Sequence, residues 1–217
     1  MSRYKAMLFD LDGTLLDSAP DLVDAYNRVR QSEGLEAASI DAVGRGATRG
    51  IRGILELGMP EADQETREDW FLKTLAHYRS NSTQRSRLYD GVSDLIKQLG
   101  AAGVRWGIVT NKSETLTFPI LDAFGLSESI ACCVCGDTLD KSKPHPAPVS
   151  LACEQLGLRP EDVLFVGDDN RDIQAGRAAG TATAAVYYGY GSGELEESIV
   201  GDSYPVRHPA DLLKLLQ

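Results

Sequence analysis

The chain has 217 residues, 42% of them hydrophobic and 25% charged. That usage suits a globular protein with one sizeable core and room for a small second domain, and it excludes extended disorder and fibrous repeats. With 22 Lys and Arg against 32 Asp and Glu, the net charge is −10. Nucleic acid and anionic membrane surfaces are therefore repelled, and an anionic substrate needs a local positive site.

The first ten residues, MSRYKAMLFD, do not join a basic flank to a long apolar region, and no apolar stretch is long enough to span a bilayer. A soluble, cytoplasmic protein without membrane or nucleic-acid partners is expected. The first predicted element is a strand over Ala6–Phe9, an apolar run without alternation, as in strands buried on both faces. It runs into FDLDGTLLD (Phe9 to Asp17), which sets Asp10 and Asp12 two residues apart before Gly13. In extended chain, residues i and i+2 point to the same side, so both carboxylates can face one small volume. Like charges at a core edge repel and desolvate each other, so a cation or a shared proton must relieve them. Mg²⁺ suits such a pair, while the alternative is a solvated D-G turn with Asp at a helix cap.

From about residue 18 to about residue 87 only helical patterns follow. Asp21–Glu33 carries Leu22, Tyr26 and Val29 on one stripe, and Glu65–Arg79 carries Trp70, Phe71 and Leu75. The segment reads as a helical insertion after the first strand, a domain over 18–87 set against 1–17 plus 88–217, able to act as a lid that excludes water. Trp70, Phe71 and Tyr78 are expected in its core.

Strand and helix then alternate. A helix over Gly91–Ala102 (Val92, Leu95, Ile96 and Leu99 on one face) precedes a strand over Val104–Val109 ending in VTNK, where Thr110 and Asn111 offer a hydroxyl and backbone N–H groups to phosphoryl oxygens. The run ACCVC over Ala131–Cys135 reads as a buried strand of reduced thiols (Cys132, Cys133, Cys135), with Cys153 alone in the next helix, Pro148–Leu156. A zinc site is disfavoured, because the run lacks a second ligand cluster. Between them, Lys143 is followed by Pro144 and Pro146 on a stiffened loop; it is either a surface lysine or an ammonium aimed at the strand ends. A strand over Val163–Val166 ends in VGDDNRD, adding Asp168, Asp169 and Asp172, and a last strand is expected over Thr183–Tyr187. The alternation predicts an α/β fold, a doubly wound, Rossmann-like parallel sheet with its active edge at the carboxyl ends of the strands. Two acid clusters on that edge call for a cation. His77, His145 and His208 are not read as catalytic; only His145 lies near a motif, in loop packing or at the surface.

FDLDGTLLD, VTNK, SKPHPAP and LFVGDDNRD, in this order and spacing, resemble the four motifs of the haloacid dehalogenase superfamily, and the helical insertion resembles its helical cap. KPHPAP, RDIQAGRAAG and YYGY are similar to segments of bacterial phosphoglycolate phosphatases and of the related N-acetylmuramic acid 6-phosphate phosphatases. The resemblance implies a Mg²⁺-dependent phosphatase acting on a small phosphorylated metabolite. By it, Asp10 is the nucleophile that forms an aspartyl-phosphate, and Asp12 is general acid and then general base. Thr110, the Asn111 backbone and Lys143 hold the phosphoryl oxygens. The metal is held by Asp10, the backbone carbonyl of Asp12 and Asp168, with Asp172 as a partner through water or other residues and Asp169 left open. In GRGATRG (Gly44 to Gly50), Arg45 and Arg49 either pair with a substrate carboxylate such as that of phosphoglycolate or are ordinary solvated residues. A phosphonatase would need a Schiff-base lysine in the cap, where Lys73 stands alone without another catalytic signal. A phosphomutase shares the core chemistry. A silent phosphate-ester-binding protein would have no need of both Asp10 and Asp12.

Overall fold

The computed structural model describes residues 3–216. Strand β1 (Ala6–Phe9) and the two-residue β2 (Leu16–Asp17) lead into helices α1 (Ala19–Ser32), α2 (Ile40–Val43), α3 (Gly50–Gly58) and α4 (Gln64–Asn81), with a 3-10 turn over Gly44–Arg49. The chain returns through β3 (Arg87–Leu88) to α5 (Val92–Ala101), β4 (Arg105–Val109), α6 (Glu114–Ala123) and β5 (Cys133–Val134). It continues with α7 (Ala147–Leu156), β6 (Val163–Gly167), α8 (Asn170–Ala179), β7 (Ala182–Val186), α9 (Glu197–Val200) and β8 (Tyr204–Val206). Two compact units result, one formed by 1–16 with 88–217 and the other by 17–87.

In the first unit, six parallel strands lie in the order β5-β4-β1-β6-β7-β8. β1 sits between β4 and β6, so the strand order reverses around it and a crevice opens at its carboxyl end. The lack of polar alternation has a direct cause. Met7 and Phe9 enter one apolar cluster with Trp106, Ile108, Leu164 and Val166, while Ala6 and Leu8 enter the other with Val109, Val163 and Phe165. Helices cover both faces, Leu95 and Leu99 of α5 on one side, Val149 and Ala152 of α7 on the other. Each fully buried Leu, Val, Ile, Phe or Met among them contributes roughly 1.5–3 kcal/mol by leaving water. This rigid sheet fixes the positions of the segments that follow each strand.

The strands differ from expectation at the sheet edges. The thiol run is strand only over Cys133–Val134; Cys132, Cys135 and Cys153 are buried, whereas Cys133 is half-exposed at the edge strand. β8 carries Pro205 within three residues, which hides it from a pattern search and is tolerated because it is the outermost strand. β2 and β3 are two residues each, too short to show any period.

In the second unit, α1 buries Leu22, Tyr26 and Val29, as its stripe predicts. The buried stripe of α4 is Trp70, Thr74 and Tyr78, spaced by four; Phe71 and Leu75, expected inside, are half-exposed, and the Arg52 guanidinium stacks 4.1 Å from the Phe71 ring. Tyr26 and Trp70 meet with ring centroids 5.9 Å apart. The Asp21 carboxylate accepts from the backbone N–H of Arg85 and Ser86 and from Ser86 Oγ, tying the exit of the unit to its entry. No helix among the described residues is long and apolar enough to cross a membrane.

Candidate active site

The carboxyl ends of β1, β4 and β6 are neighbours in the sheet, so the residues just past each end are brought together by topology alone. The Asp10 N–H donates to Val166 O at 2.9 Å, extending the ladder one residue past β1. Its Oδ1 accepts from Leu11 N and from Lys143 Nζ, both at 2.8 Å. Lys143 Nζ also meets Asp172 Oδ1 at 2.7 Å and Val109 O at 2.8 Å. Three acceptors match the three protons of an ammonium group, and the side chain is only 2% exposed. Burial alone would lower the Lys143 pKa, but the Asp10 and Asp172 carboxylates reverse this and raise it, so the lysine is held as a cation. The Lys143 backbone is clamped in turn by Asn111, whose side chain accepts from Lys143 N and donates to Lys143 O at 3.0 Å each.

Asp168 follows β6 and is buried. Its Oδ1 accepts from Thr14 Oγ1 at 3.1 Å and its Oδ2 from Gly191 N at 2.8 Å. The chain around it needs glycine: at Gly13, with φ +83°, an added Cβ would lie 2.1 Å from Asp168 Oδ2, and at Gly189 it would lie 2.0 Å from Gly13 O. Tyr188 braces the same turn by donating its hydroxyl to Thr14 O at 2.9 Å.

Asp169 and Asp172 form a capping box at the start of α8. The Asp169 carboxylate is taken by Arg171, through its N–H and Nε at 2.8 Å and Nη2 at 3.0 Å, while Asp172 Oδ2 accepts from Asp169 N at 3.1 Å. Burial pushes Asp169 up, but the Arg171 guanidinium outweighs it and holds that carboxyl below its usual range. Asp169 is thus bound up in ordering the helix start, and Asp172 faces Lys143.

Asp10, Asp168 and Asp172 each offer an oxygen within 4.8 Å of the others, and among the described residues they are the one such group of metal-ligating side chains. Burial, then the Asp172 and Asp10 charges, push Asp168 well above the carboxylate range; burial pushes Asp172 up to about 7 against the opposing pull of Lys143. With all three carboxyls ionised, one ammonium would leave two negative charges to be met by protons or by a cation. An all-oxygen donor set with that deficit fits a hard divalent cation.

The Asp12 carboxylate lies outside this group. It pairs with Lys112 Nζ at 3.0 Å, a contact the motif reading of VTNK did not assign. Thr110 is buried, and its Oγ1 accepts from Lys112 N at 3.2 Å. Arg45 and Arg49 lie in the second unit, exposed on the 3-10 turn, and Arg49 pairs with Glu56 at 2.9 Å. That turn packs tightly on α3, since a Cβ at Gly46 would lie 2.4 Å from Gly53 O. Gly189, Gly191 and Arg171 were likewise unassigned from sequence; the glycines stand in or beside YYGY, and Arg171 inside GDDNRD, so each sits in a segment already marked. No cysteine or histidine joins the acidic group. His145 instead accepts from Ala147 N through Nδ1 at 3.1 Å at the start of α7.

The family model for haloacid dehalogenase-like hydrolases matches residues 7–186. An N-acetylmuramic acid 6-phosphate phosphatase of Pseudomonas aeruginosa is 41% identical over 99% of this chain and 95% of its own length. A phosphoglycolate phosphatase of Xanthomonas campestris pv. campestris is 37% identical over 96% of this chain and 91% of its own. Among solved structures, one described as a predicted phosphoglycolate phosphatase from Haemophilus somnus 129pt superposes with a TM-score of 0.86 at 32% identity, covering 100% of both chains. The parallel sheet, the acidic group at its carboxyl edge and these likenesses converge on one assignment: the chain belongs to the haloacid dehalogenase-like hydrolases.

Proposed function

We propose that this protein is a Mg²⁺-dependent phosphatase that hydrolyses a small phosphate monoester whose alcohol carries a carboxylate, with 2-phosphoglycolate as first substrate. The observation that carries the reading is the buried Lys143 ammonium bridging Asp10 and Asp172, with Asp168 completing a group short of positive charge. In this reading Asp10 attacks phosphorus, the bond from phosphorus to the alcohol oxygen breaks, and Asp12 gives that oxygen its proton. Asp12 then takes a proton from water as the water oxygen attacks the aspartyl-phosphate, returning Asp10 and releasing inorganic phosphate. Leu11 N and Lys143 fix the plane of the Asp10 carboxylate before substrate arrives. Thr110, the Asn111 backbone and Lys143 hold phosphoryl oxygens; the Asn111 side chain is engaged by the Lys143 backbone. Asp10, Asp168 and the Asp12 carbonyl would hold Mg²⁺, with Asp172 fixed beside them through Lys143. When bound, the ion supplies charge neutralisation for carboxylates and phosphoryl oxygens.

The residues 17–87 serve as a cap in this reading, and Arg45 and Arg49 recognise the substrate carboxylate. A second reading, N-acetylmuramic acid 6-phosphate as substrate, is favoured by the 41% identity to the Pseudomonas aeruginosa phosphatase. Both esters carry a carboxylate in the alcohol. A cytoplasmic location belongs to the same reading, supported by four free thiols.

The test is release of p-nitrophenol from p-nitrophenyl phosphate with Mg²⁺ and with EDTA, followed by a panel containing both esters ranked by kcat/KM. Metal-dependent turnover with a carboxylate-bearing ester ranked first is expected. Absence of turnover on every ester with Mg²⁺ present would overturn the proposal.

A further inference from the structure

Two lysines stand at the carboxyl edge of the sheet, each on a different aspartate. Lys143 holds Asp10; Lys112 holds Asp12, Nζ to Oδ1 at 3.0 Å, and the steps above make no use of it. The Lys112 and Asp12 side chains are only 7% and 19% exposed. An ammonium that far from water is tolerated when a carboxylate compensates it.

Both ends of this ion pair stand on fixed backbone. Lys112 N donates to Thr110 Oγ1 at 3.2 Å, and Lys112 O accepts from Gly136 N at 2.8 Å. At Gly136 an added Cβ would lie 2.1 Å from Asn111 O, so the turn after β4 is pinned against the turn after β5. On the other side, Asp12 bridges to Leu16, and Gly13 N donates to Leu16 O at 2.8 Å. The triplet Thr110-Asn111-Lys112 therefore stands behind both ion pairs: Asn111 clamps the Lys143 backbone, and Lys112 reaches Asp12 itself.

We propose that Lys112 is the positioning residue of the acid–base group: its ammonium fixes the plane of the Asp12 carboxyl and hence the direction in which Asp12 passes its proton. The inference rests on the phosphatase reading. As Asp10 bonds to phosphorus, the bond to the alcohol oxygen breaks, and that oxygen leaves with the electron pair and takes the proton that Asp12 carries on Oδ2 with the ester bound, Lys112 staying on Oδ1. An alkyl oxygen needs that proton, whereas p-nitrophenolate leaves without it. A misaimed Asp12 therefore penalises poor leaving groups selectively. A lysine that only supported the fold, or that bound substrate, would affect all esters alike.

The experiment measures kcat/KM, which reports the steps up to cleavage of the ester bond, for the full chain with Mg²⁺. The substrates run from p-nitrophenyl and phenyl phosphate to simple alkyl phosphates without a carboxylate. Lys112→Met should lose about tenfold or more on the alkyl esters, part of the roughly 10²–10⁴-fold that a well-aimed general acid supplies, and less than about threefold on p-nitrophenyl phosphate. Lys112→Arg should recover most of the alkyl rate, and Lys112→Met added to Asp12→Asn should cost nothing further. Equal losses along the series, or an undiminished loss in the Asp12→Asn background, overturn the inference. Circular dichroism and a cooperative melt establish that each variant folds; if Lys112→Met does not, Lys112→Gln against Lys112→Arg gives the same comparison. Wild-type protein inactive on every ester would instead refute the phosphatase reading.

Discussion

Replacing Lys143 with methionine keeps the volume of the side chain and removes its charge, and the consequence should depend on pH. The ammonium lies 2.8 Å from Asp10 and 2.7 Å from Asp172, both poorly exposed, so its loss leaves an uncompensated buried acidic group. Breaking a buried pair by deleting one partner costs about 3–5 kcal/mol. For a chain of this size that corresponds to a fall in Tm of roughly 6–20 °C at pH 7.5 in EDTA. The penalty should shrink at pH 5. Asp172 is already pushed up to about 7, by burial first and with Lys143 pulling the other way, so without Lys143 it rises further; both proteins hold the proton at pH 5, and the pH-dependent part of the deficit opens above about pH 7, where only wild type releases it. A protonated acid no longer needs the ammonium. Differential scanning calorimetry of wild type and Lys143→Met at both pH values measures this. A variant that melts within about 2 °C of wild type at pH 7.5, or whose deficit is the same at pH 5, refutes the reasoning.

The metal-free wild type should itself lose stability as pH rises from about 4 to about 7. A carboxyl raised in the folded state stabilises it below the ordinary value of 3.8, and that contribution is gone once pH passes about 7. For Asp172 the effect is on the order of 4 kcal/mol. Urea melts in EDTA should show it, Mg²⁺ should restore stability at pH 7.5, and Asp172→Asn should flatten the slope; an unchanged slope in that variant counts against it. Gly13→Ala forces a side chain into φ +83° and a Cβ to 2.1 Å from Asp168 Oδ2, so it should cost about 1–2 kcal/mol from backbone strain alone and at least tenfold in turnover. Near-normal kinetics would show that the Asp168 position is not critical. Asp10→Asn should abolish turnover of p-nitrophenyl phosphate with an unchanged circular dichroism spectrum, and retained turnover would remove Asp10 from its role. Arg45→Ala and Arg49→Ala should raise KM for 2-phosphoglycolate more than for p-nitrophenyl phosphate; parallel changes would argue against carboxylate recognition by either.

Much of this was legible in the letters because the physics involved is local. Ala6–Phe9 reads as a doubly buried strand since every residue in it is apolar, and Asp10, Asp12, Asp168 and Asp172 stand out because charge just past such strands is costly without a partner. What the letters could not supply is which partner each charge takes. Sequence alone leaves Lys143 open to a surface position; the sheet order, with β1 between β4 and β6, brings it to two carboxylates at once. Asp169 and Asp172 look alike in GDDNRD, yet the start of α8 turns one onto Arg171 and the other onto Lys143. Lys112 meets Asp12 across 100 positions of sequence, and Gly189 meets Gly13 across more. Strand and helix periods follow from neighbouring residues along the chain; ion pairs and close backbone contacts follow from which strands lie side by side, and only the folded sheet decides that.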